Sequence, residues 1–102
     1  MSDPATVPFV ATKHKAFVVA LQRSSGKPSM MSIYTEHMRL NGVYWGLSAM
    51  ALLDDLAAMD TARLSAWVLA CGHESGGFGG NVGHDAHVQY TLSAVQVCLC
   101  AV

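Results

Sequence analysis

Two stretches of this chain echo each other at a separation of 45 residues. Val43-Tyr44-Trp45-Gly46-Leu47-Ser48-Ala49-Met50 and Val88-Gln89-Tyr90-Thr91-Leu92-Ser93-Ala94-Val95 share Val, Leu, Ser and Ala in register, with Met50 facing Val95. A period near 45 residues with two helices per unit is what stacked helical hairpins show. Each hairpin in such a stack buries its faces only against its neighbours, and about three or more are needed for stability. The 102 residues hold little more than one full unit. An incomplete stack is the expectation.

Composition points the same way. Charged residues make up 13% of the chain and hydrophobic ones 52%, against a usual charged share of about 25%. A small free-standing domain has a large surface for its core and needs polar residues to cover it. Much of this surface is therefore expected to face other protein, in a larger fold or an obligate assembly. The net charge is −1, and Lys13, Lys15, Arg23, Lys27, Arg39 and Arg63 are scattered, so no footprint for nucleic acid emerges. No apolar run approaches the roughly 18 residues of a membrane span. Met-Ser-Asp-Pro lacks the basic-then-apolar order of a secretory signal. Three cysteines, an odd number, fit free thiols in a reducing compartment better than a disulfide framework. The cytosol is the default expectation.

Periodicity predicts helices throughout. Residues 1–8, with two prolines, read as a loose lead, and 9–102 as one partial domain. A helix is expected from Phe9 to about Gln22, with Val10, Phe17, Val18 and Leu21 on one side, ended by the turn cluster Ser24-Ser25-Gly26-Lys27-Pro28-Ser29. Met30 to about Leu40 reads as a more polar helix. Trp45, Ala49, Leu52, Leu56 and Met59 step by four and three along one face of the next, which is apolar most of the way round and so reads as buried. Asp60 is placed to cap a helix carrying Leu64, Trp67, Val68 and Cys71, with Gly72 at its left-handed end. Val88, Leu92, Val95, Leu99 and Val102 mark a last helix beginning near Asp85. No segment alternates as a strand does. The chain reads as all-α.

Between the last two helices, the loop Cys71–His87 gathers six of the nine glycines, from Gly72 to Gly83. It lacks the Gly-Lys-Ser/Thr ending of a phosphate loop, and Val82 stands where the third glycine of a dinucleotide fingerprint belongs. Cys71, His73, His84 and His87 offer four metal ligands, at spacings unusual for zinc. Cys71 with His73 as a nucleophilic pair is weaker, since Cys71 belongs to an apolar stripe. A structural loop is the plainer reading, with Phe78 plugging a gap between helices, Asp85 capping, and His84 and His87 bonding backbone.

Asn41, Tyr44, Trp45 and Ser48 fall at i, i+3, i+4 and i+7, one face if helical. Two aromatics beside small polar groups suit a pocket for a long apolar ligand, or equally a packed core with an aromatic edge. Cys98 and Cys100 are not a prenylation tail, because a CaaX box needs cysteine fourth from the end and Leu99 stands there. They read as core or exposed free thiols.

Arg39-Leu40-Asn41-Gly42-Val43-Tyr44-Trp45-Gly46-Leu47 resembles the second-helix signature of protein prenyltransferase β subunits. His73-Glu74-Ser75-Gly76-Gly77-Phe78, then Gly83-His84-Asp85-Ala86-His87 and Tyr90-Thr91-Leu92-Ser93-Ala94-Val95-Gln96, resembles their repeat motif. The resemblance runs from about Phe9 to Val97 and is nearest the type II branch. It implies an α/α barrel of six helical hairpins, of which this chain is an incomplete N-terminal segment. It also implies a β subunit that pairs with an α subunit and transfers geranylgeranyl from geranylgeranyl diphosphate to C-terminal cysteines of Rab GTPases presented by an escort protein. Zinc activates the acceptor thiol in that family, since a metal-bound thiol is deprotonated and nucleophilic at neutral pH.

The family's zinc ligands (Asp, Cys and His) and its diphosphate-binding His, Arg, Lys and Tyr lie in later repeats. None has a counterpart here, so no catalytic or metal residue is assigned, and Cys71, His84 and His87 do not take those roles. What the resemblance carries over is the closed end of the isoprenoid pocket, at Asn41, Tyr44, Trp45 and Leu92. Asn41 is small enough there to leave room for a fourth isoprene unit. After Gln96, Val97-Cys98-Leu99-Cys100-Ala101-Val102 departs from the family pattern. Two functional classes stay open: part of an enzyme subunit, inactive by itself, or a non-catalytic remnant competing for the α subunit or escort protein. A reading frame continuing past Gln96 favours the first, and a stop at Val102 the second.

Overall fold

The computed structural model of the chain describes residues 8–24, 27 and 29–100. It is helical, as the periodicity predicts: α1 (Ala11–Ser24), α2 (Met30–Tyr34), α3 (Arg39–Leu52), α4 (Thr61–Ala70) and α5 (Val88–Cys100), with 3-10 turns at Glu36–Met38 and Leu56–Ala58. Among the described residues there is no strand, only one isolated antiparallel bridge between Gly72 and Phe78. Residues 1–7, most of the expected turn cluster after Ser24, and Val102 lie outside the described residues.

Helix boundaries differ from expectation where capping chemistry outweighs hydrophobic pattern. The polar helix expected over 30–40 stops at Tyr34. Its start is held by a capping box, in which Ser32 N donates to Ser29 Oγ at 3.0 Å and Ser29 N to Ser32 Oγ at 2.9 Å. Its end comes where the Thr35 hydroxyl turns back to the Met31 carbonyl at 2.8 Å, offering the chain an alternative to another helical turn.

The helix expected to run on through Met59 ends at Leu52. Asp54 takes a left-handed φ of 57°. Its amide donates to Ala51 O at 3.1 Å, and that of Asp55 donates to Met50 O at 2.9 Å. These two bonds are a Schellman motif with Asp in the place glycine usually holds. Gly72, expected to be left-handed, is not among the positive-φ glycines, which are Gly76 and Gly83. The fold needs it in the bridge to Phe78 instead.

The α4 expectation matches. Asp60 Oδ1 accepts from Arg63 N at 3.1 Å, and Leu64, Trp67, Val68 and Cys71 all turn inward. The stripes predicted for α1 and for the helix through Met59 match only in part, at Val18 and Met59, and that of α5 does not match. On α1, Phe17 and Leu21 are exposed while Val18 and Val19 pack on the core. Leu40, Leu47 and Met50 of α3 are fully buried, whereas Trp45 and Leu52 are 59% and 89% exposed. On α5 the buried residues are Ser93, Ala94 and Val97, while Val88, Leu92, Val95 and Leu99 face solvent.

The most extensive helix contact joins α3 to α5. Small side chains at Ser93 and Ala94 let a neighbouring helix approach closely, which large residues at Leu92 or Val95 would prevent. Met59 and Val68 complete the core from the α4 side. The chain is extended, with a radius of gyration of 15.4 Å against about 13 Å for a compact domain of this size. That shape, and the exposed stripes, are what one section of a helical stack presents.

Asp54 supplies a test of the α3 terminus. A β-branched side chain is poorly accommodated at φ 57°, so Asp54→Val should lower stability by about 1–2 kcal/mol, while Asp54→Gly should lose nothing. Thermal unfolding of the two variants side by side checks this; equal losses would show that the motif does not set the helix end.

Candidate functional site

Three of the four residues expected at a ligand pocket lie on the first half of α3, and the fourth lies on α5. Asn41 is 2% exposed, and its Oδ1 accepts from Ser93 Oγ at 2.7 Å across the α3–α5 seam. Tyr44 is half-buried against the core. Trp45 lies one turn beyond Asn41 on the exposed side of α3. There it lines a groove of about 440 Å³ with Val18 and Leu21 of α1, Ala49, Met59 and Leu64. Leu92, 58% exposed, lines a separate open depression of about 490 Å³ with Gly77, Thr91 and Val95. The structure thus joins Asn41 to the helix of Leu92, through Ser93. It does not place Trp45 and Leu92 in one cavity.

Arg39 borders the α1–α3 groove, with its guanidinium 5.2 Å from the centre of the Trp67 ring. This is cation–π range. Sequence reasoning gave Ser93 no role of its own, although it stands in the echo of Ser48 and within the motif stretch Tyr90–Gln96.

The glycine-rich loop is a clasp. His73 N donates to Gly77 O at 2.7 Å and Gly79 N to Cys71 O at 3.0 Å. Phe78 packs against the core while its amide donates to Thr91 Oγ1 at 3.0 Å. The next stretch reaches back to the start of α3. Leu40 N donates to Gly80 O at 2.9 Å, and Asn81 Nδ2 to Glu36 O at 2.9 Å. A Cβ on Gly80 would collide with the His37 carbonyl, so only glycine permits the approach.

The candidate ligand set of this loop does not converge. His73 Nδ1 accepts from Ser75 N at 3.1 Å and its Nε2 lies 3.9 Å from Asp85, while His84 faces Glu36 at 3.7 Å. His87 Nδ1 accepts from Gln89 N at 3.1 Å. Asp85 caps no helix, since α5 begins at Val88. Cys71 is buried, and burial pushes its thiol up to about 11, with Arg39 pulling weakly the other way. A thiol so held is a poor nucleophile at neutral pH. Among the described residues no three of His, Cys, Asp and Glu gather as a metal would require. Zinc does not fit the residues present.

The model of the prenyltransferase alpha-alpha toroid domain matches residues 9–102. The chain is 44% identical over 96 residues to "geranylgeranyl transferase type-2 subunit beta 1" of Arabidopsis thaliana, covering 94% of this chain and 29% of that one. It is 44% identical over 94 residues to the "probable geranylgeranyl transferase type-2 subunit beta" of Dictyostelium discoideum, covering 92% and 27%. To the corresponding subunit of Saccharomyces cerevisiae it is 45% identical over 64 residues, covering 62% and 20%. The chain spans less than a third of the length of these relatives.

The Cys71 environment has a chemical consequence. Alkylation follows the thiolate, so iodoacetamide at pH 8 should label Cys98 and Cys100 and spare Cys71 in the folded chain. Labelling of Cys71 should rise only as the pH nears 11. Peptide mass spectrometry across the pH series reads this; labelling of Cys71 at pH 8, in step with the other two, would contradict its burial.

Proposed function

The chain belongs to the prenyltransferase alpha-alpha toroid family, and from that premise we propose that it is the N-terminal section of a type-2 geranylgeranyltransferase β subunit. The observation that carries this is the match along nearly the whole chain to type-2 β subunits more than three times its aligned length. The complete protein would pair with an α subunit and move geranylgeranyl from its diphosphate to C-terminal cysteines of Rab GTPases delivered by an escort protein. The carbon–sulfur bond forms as the carbon–oxygen bond to diphosphate breaks, and the thiol proton leaves to solvent. Zinc, when bound by residues outside this section, would supply a deprotonated acceptor thiol.

This section's own part is to bind and orient the isoprenoid. Tyr44, Trp45 and Leu92 furnish apolar wall for the closed end of the pocket, and Asn41 stands one layer behind, within the α3–α5 seam. Trp45 and Leu92 are exposed here, and such surface suits a long apolar chain once further repeats enclose it. The clasp from Gly80 and Asn81 to Leu40 and Glu36 holds the start of α3, the helix carrying three of the four residues.

Two experiments test the reading. The 102-residue chain mixed with α subunit, escort protein, Rab and geranylgeranyl diphosphate should show no transfer, while the chain extended through the rest of the toroid should restore it. Failure of the extended protein to transfer would sink the proposal, and transfer by the short chain would sink the division of labour. Leu92→Trp in the extended protein should fill space at the closed end and favour farnesyl diphosphate. Overfilling a cavity costs about 1–3 kcal/mol, roughly a five- to 150-fold change in relative affinity. Competition between the two diphosphates reads it, and an unmoved ratio would remove Leu92 from the pocket.

A further inference from the structure

We propose that the outward face of α1, with α2 beside it, is a docking surface for an anionic lipid bilayer; the inference goes beyond the prenyl-transfer reading and does not depend on it. Charge is divided unevenly along the chain. Residues 1–35 hold four cations (Lys13, Lys15, Arg23 and Lys27) and one carboxylate (Asp3), a net of +3, whereas residues 36–102 hold two cations and six carboxylates, a net of −4. Within α1 there are three of those cations and no acidic residue. Lys15 is drawn toward Asp55 at 3.7 Å. Lys13, Arg23 and Lys27 are exposed, and among the described residues no carboxylate pairs with them.

The same region carries apolar side chains that the core does not take. α1 packs Val18 and Val19 inward, yet Phe17 and Leu21 are 64% and 54% exposed. Lys13, Phe17 and Leu21 follow at steps of four and so form one row along the helix. Phe9 stands just before this row, its ring stacked on that of His14 at 4.8 Å. Met30, Met31, Ile33 and Tyr34 of α2 are 66–70% exposed. Leu21 and Thr35, at the end of α2, border one groove, so the two apolar clusters adjoin.

The outward stripe of α5 differs in chemistry. Val88–Cys100 has no charged residue, which suits cover by other protein. An aromatic and aliphatic row edged by unpaired cations suits a bilayer surface instead. Its apolar side chains enter the boundary between headgroups and acyl chains, while Lys and Arg stems lie along them and carry their charges to the phosphates. At 14 residues α1 is too short to cross a bilayer, so it lies in the surface plane. Each cation held there adds about fivefold to the affinity for an anionic surface.

The test is co-sedimentation of the chain extended through the rest of its toroid, alone and paired with its α subunit. One set of vesicles contains phosphatidylserine and phosphatidylcholine in equal parts, and the other phosphatidylcholine only. Both protein forms should bind the anionic vesicles, bind the neutral ones about 100-fold more weakly, and dissociate as salt rises. Lys13→Gln/Arg23→Gln removes two cations and should weaken binding to the anionic vesicles about 25-fold. Phe17→Ser should weaken it about tenfold. These side chains are exposed, so the melting temperature should stay where it is. Prenyl transfer in solution should be unchanged too, and absent vesicle binding with transfer intact overturns this inference alone. Loss of transfer with vesicle binding intact does the reverse. Binding that the α subunit abolishes would make this face a protein interface and overturn the proposal. Equal binding to neutral vesicles, insensitive to salt, would reduce it to apolar adhesion and overturn it as well. If Phe17→Ser does not fold, the charge variant decides, and its undiminished binding to the anionic vesicles sinks the proposal.

Discussion

The close contact between α3 and α5 is the constraint on which the rest of this structure depends. Ser93 and Ala94 present so little bulk that Leu40, Leu47 and Met50 can be buried completely against them and Val97. Within this apolar seam sits one polar pair, Asn41 with Ser93. Such a pair adds little net stability, since each group gives up water to make it. Its value is directional: a slip of either helix would strand a buried amide, and that is costly. Packing brings the helices together, and the hydrogen bond selects one register.

The glycine-rich loop secures the same seam from its end. Leaving α4, the chain makes a tight turn, places Phe78 against the core, and lays Gly80 on the backbone before α3. The Leu40 amide, one of those a helix start leaves without an intrahelical partner, is met there by the Gly80 carbonyl. Glycine concentration in this loop therefore serves backbone approach, not phosphate or metal chemistry. The histidines that gave the loop its catalytic look are spread over separate carboxylates and amides.

The sequence disclosed the helical class, the α4 stripe with its Asp60 cap, and the echo that relates α3 to α5. It misdirected on which faces are buried. Hydrophobic stepping favours the largest residues, so Trp45, Leu52, Leu92 and Leu99 read as core, whereas close packing selected Ser93 and Ala94. Both faces of α5 are apolar, and periodicity by itself cannot rank them. The end of α3 was hidden because Asp54 does the work usually signalled by glycine. For the candidate site, motif resemblance alone singles out Asn41, Tyr44, Trp45 and Leu92, and the structure puts Trp45 and Leu92 in separate depressions. The contact of Asn41 with Ser93 was not legible, because it depends on how two helices meet across 52 residues of chain.

The outward stripe of α5, from Val88 to Leu99, bears on what stability means for this molecule. In a stack, each unit's free energy is its own plus the interfaces it shares, so an end unit is defined by what lies against it. Anything that binds the folded form alone adds RT ln(1 + [L]/Kd), about 2.7 kcal/mol at one hundred times Kd. Many single domains hold only about 5–15 kcal/mol in total. A melting temperature for this section is therefore a property of a solution, with the concentration of the covering surface as one of its variables.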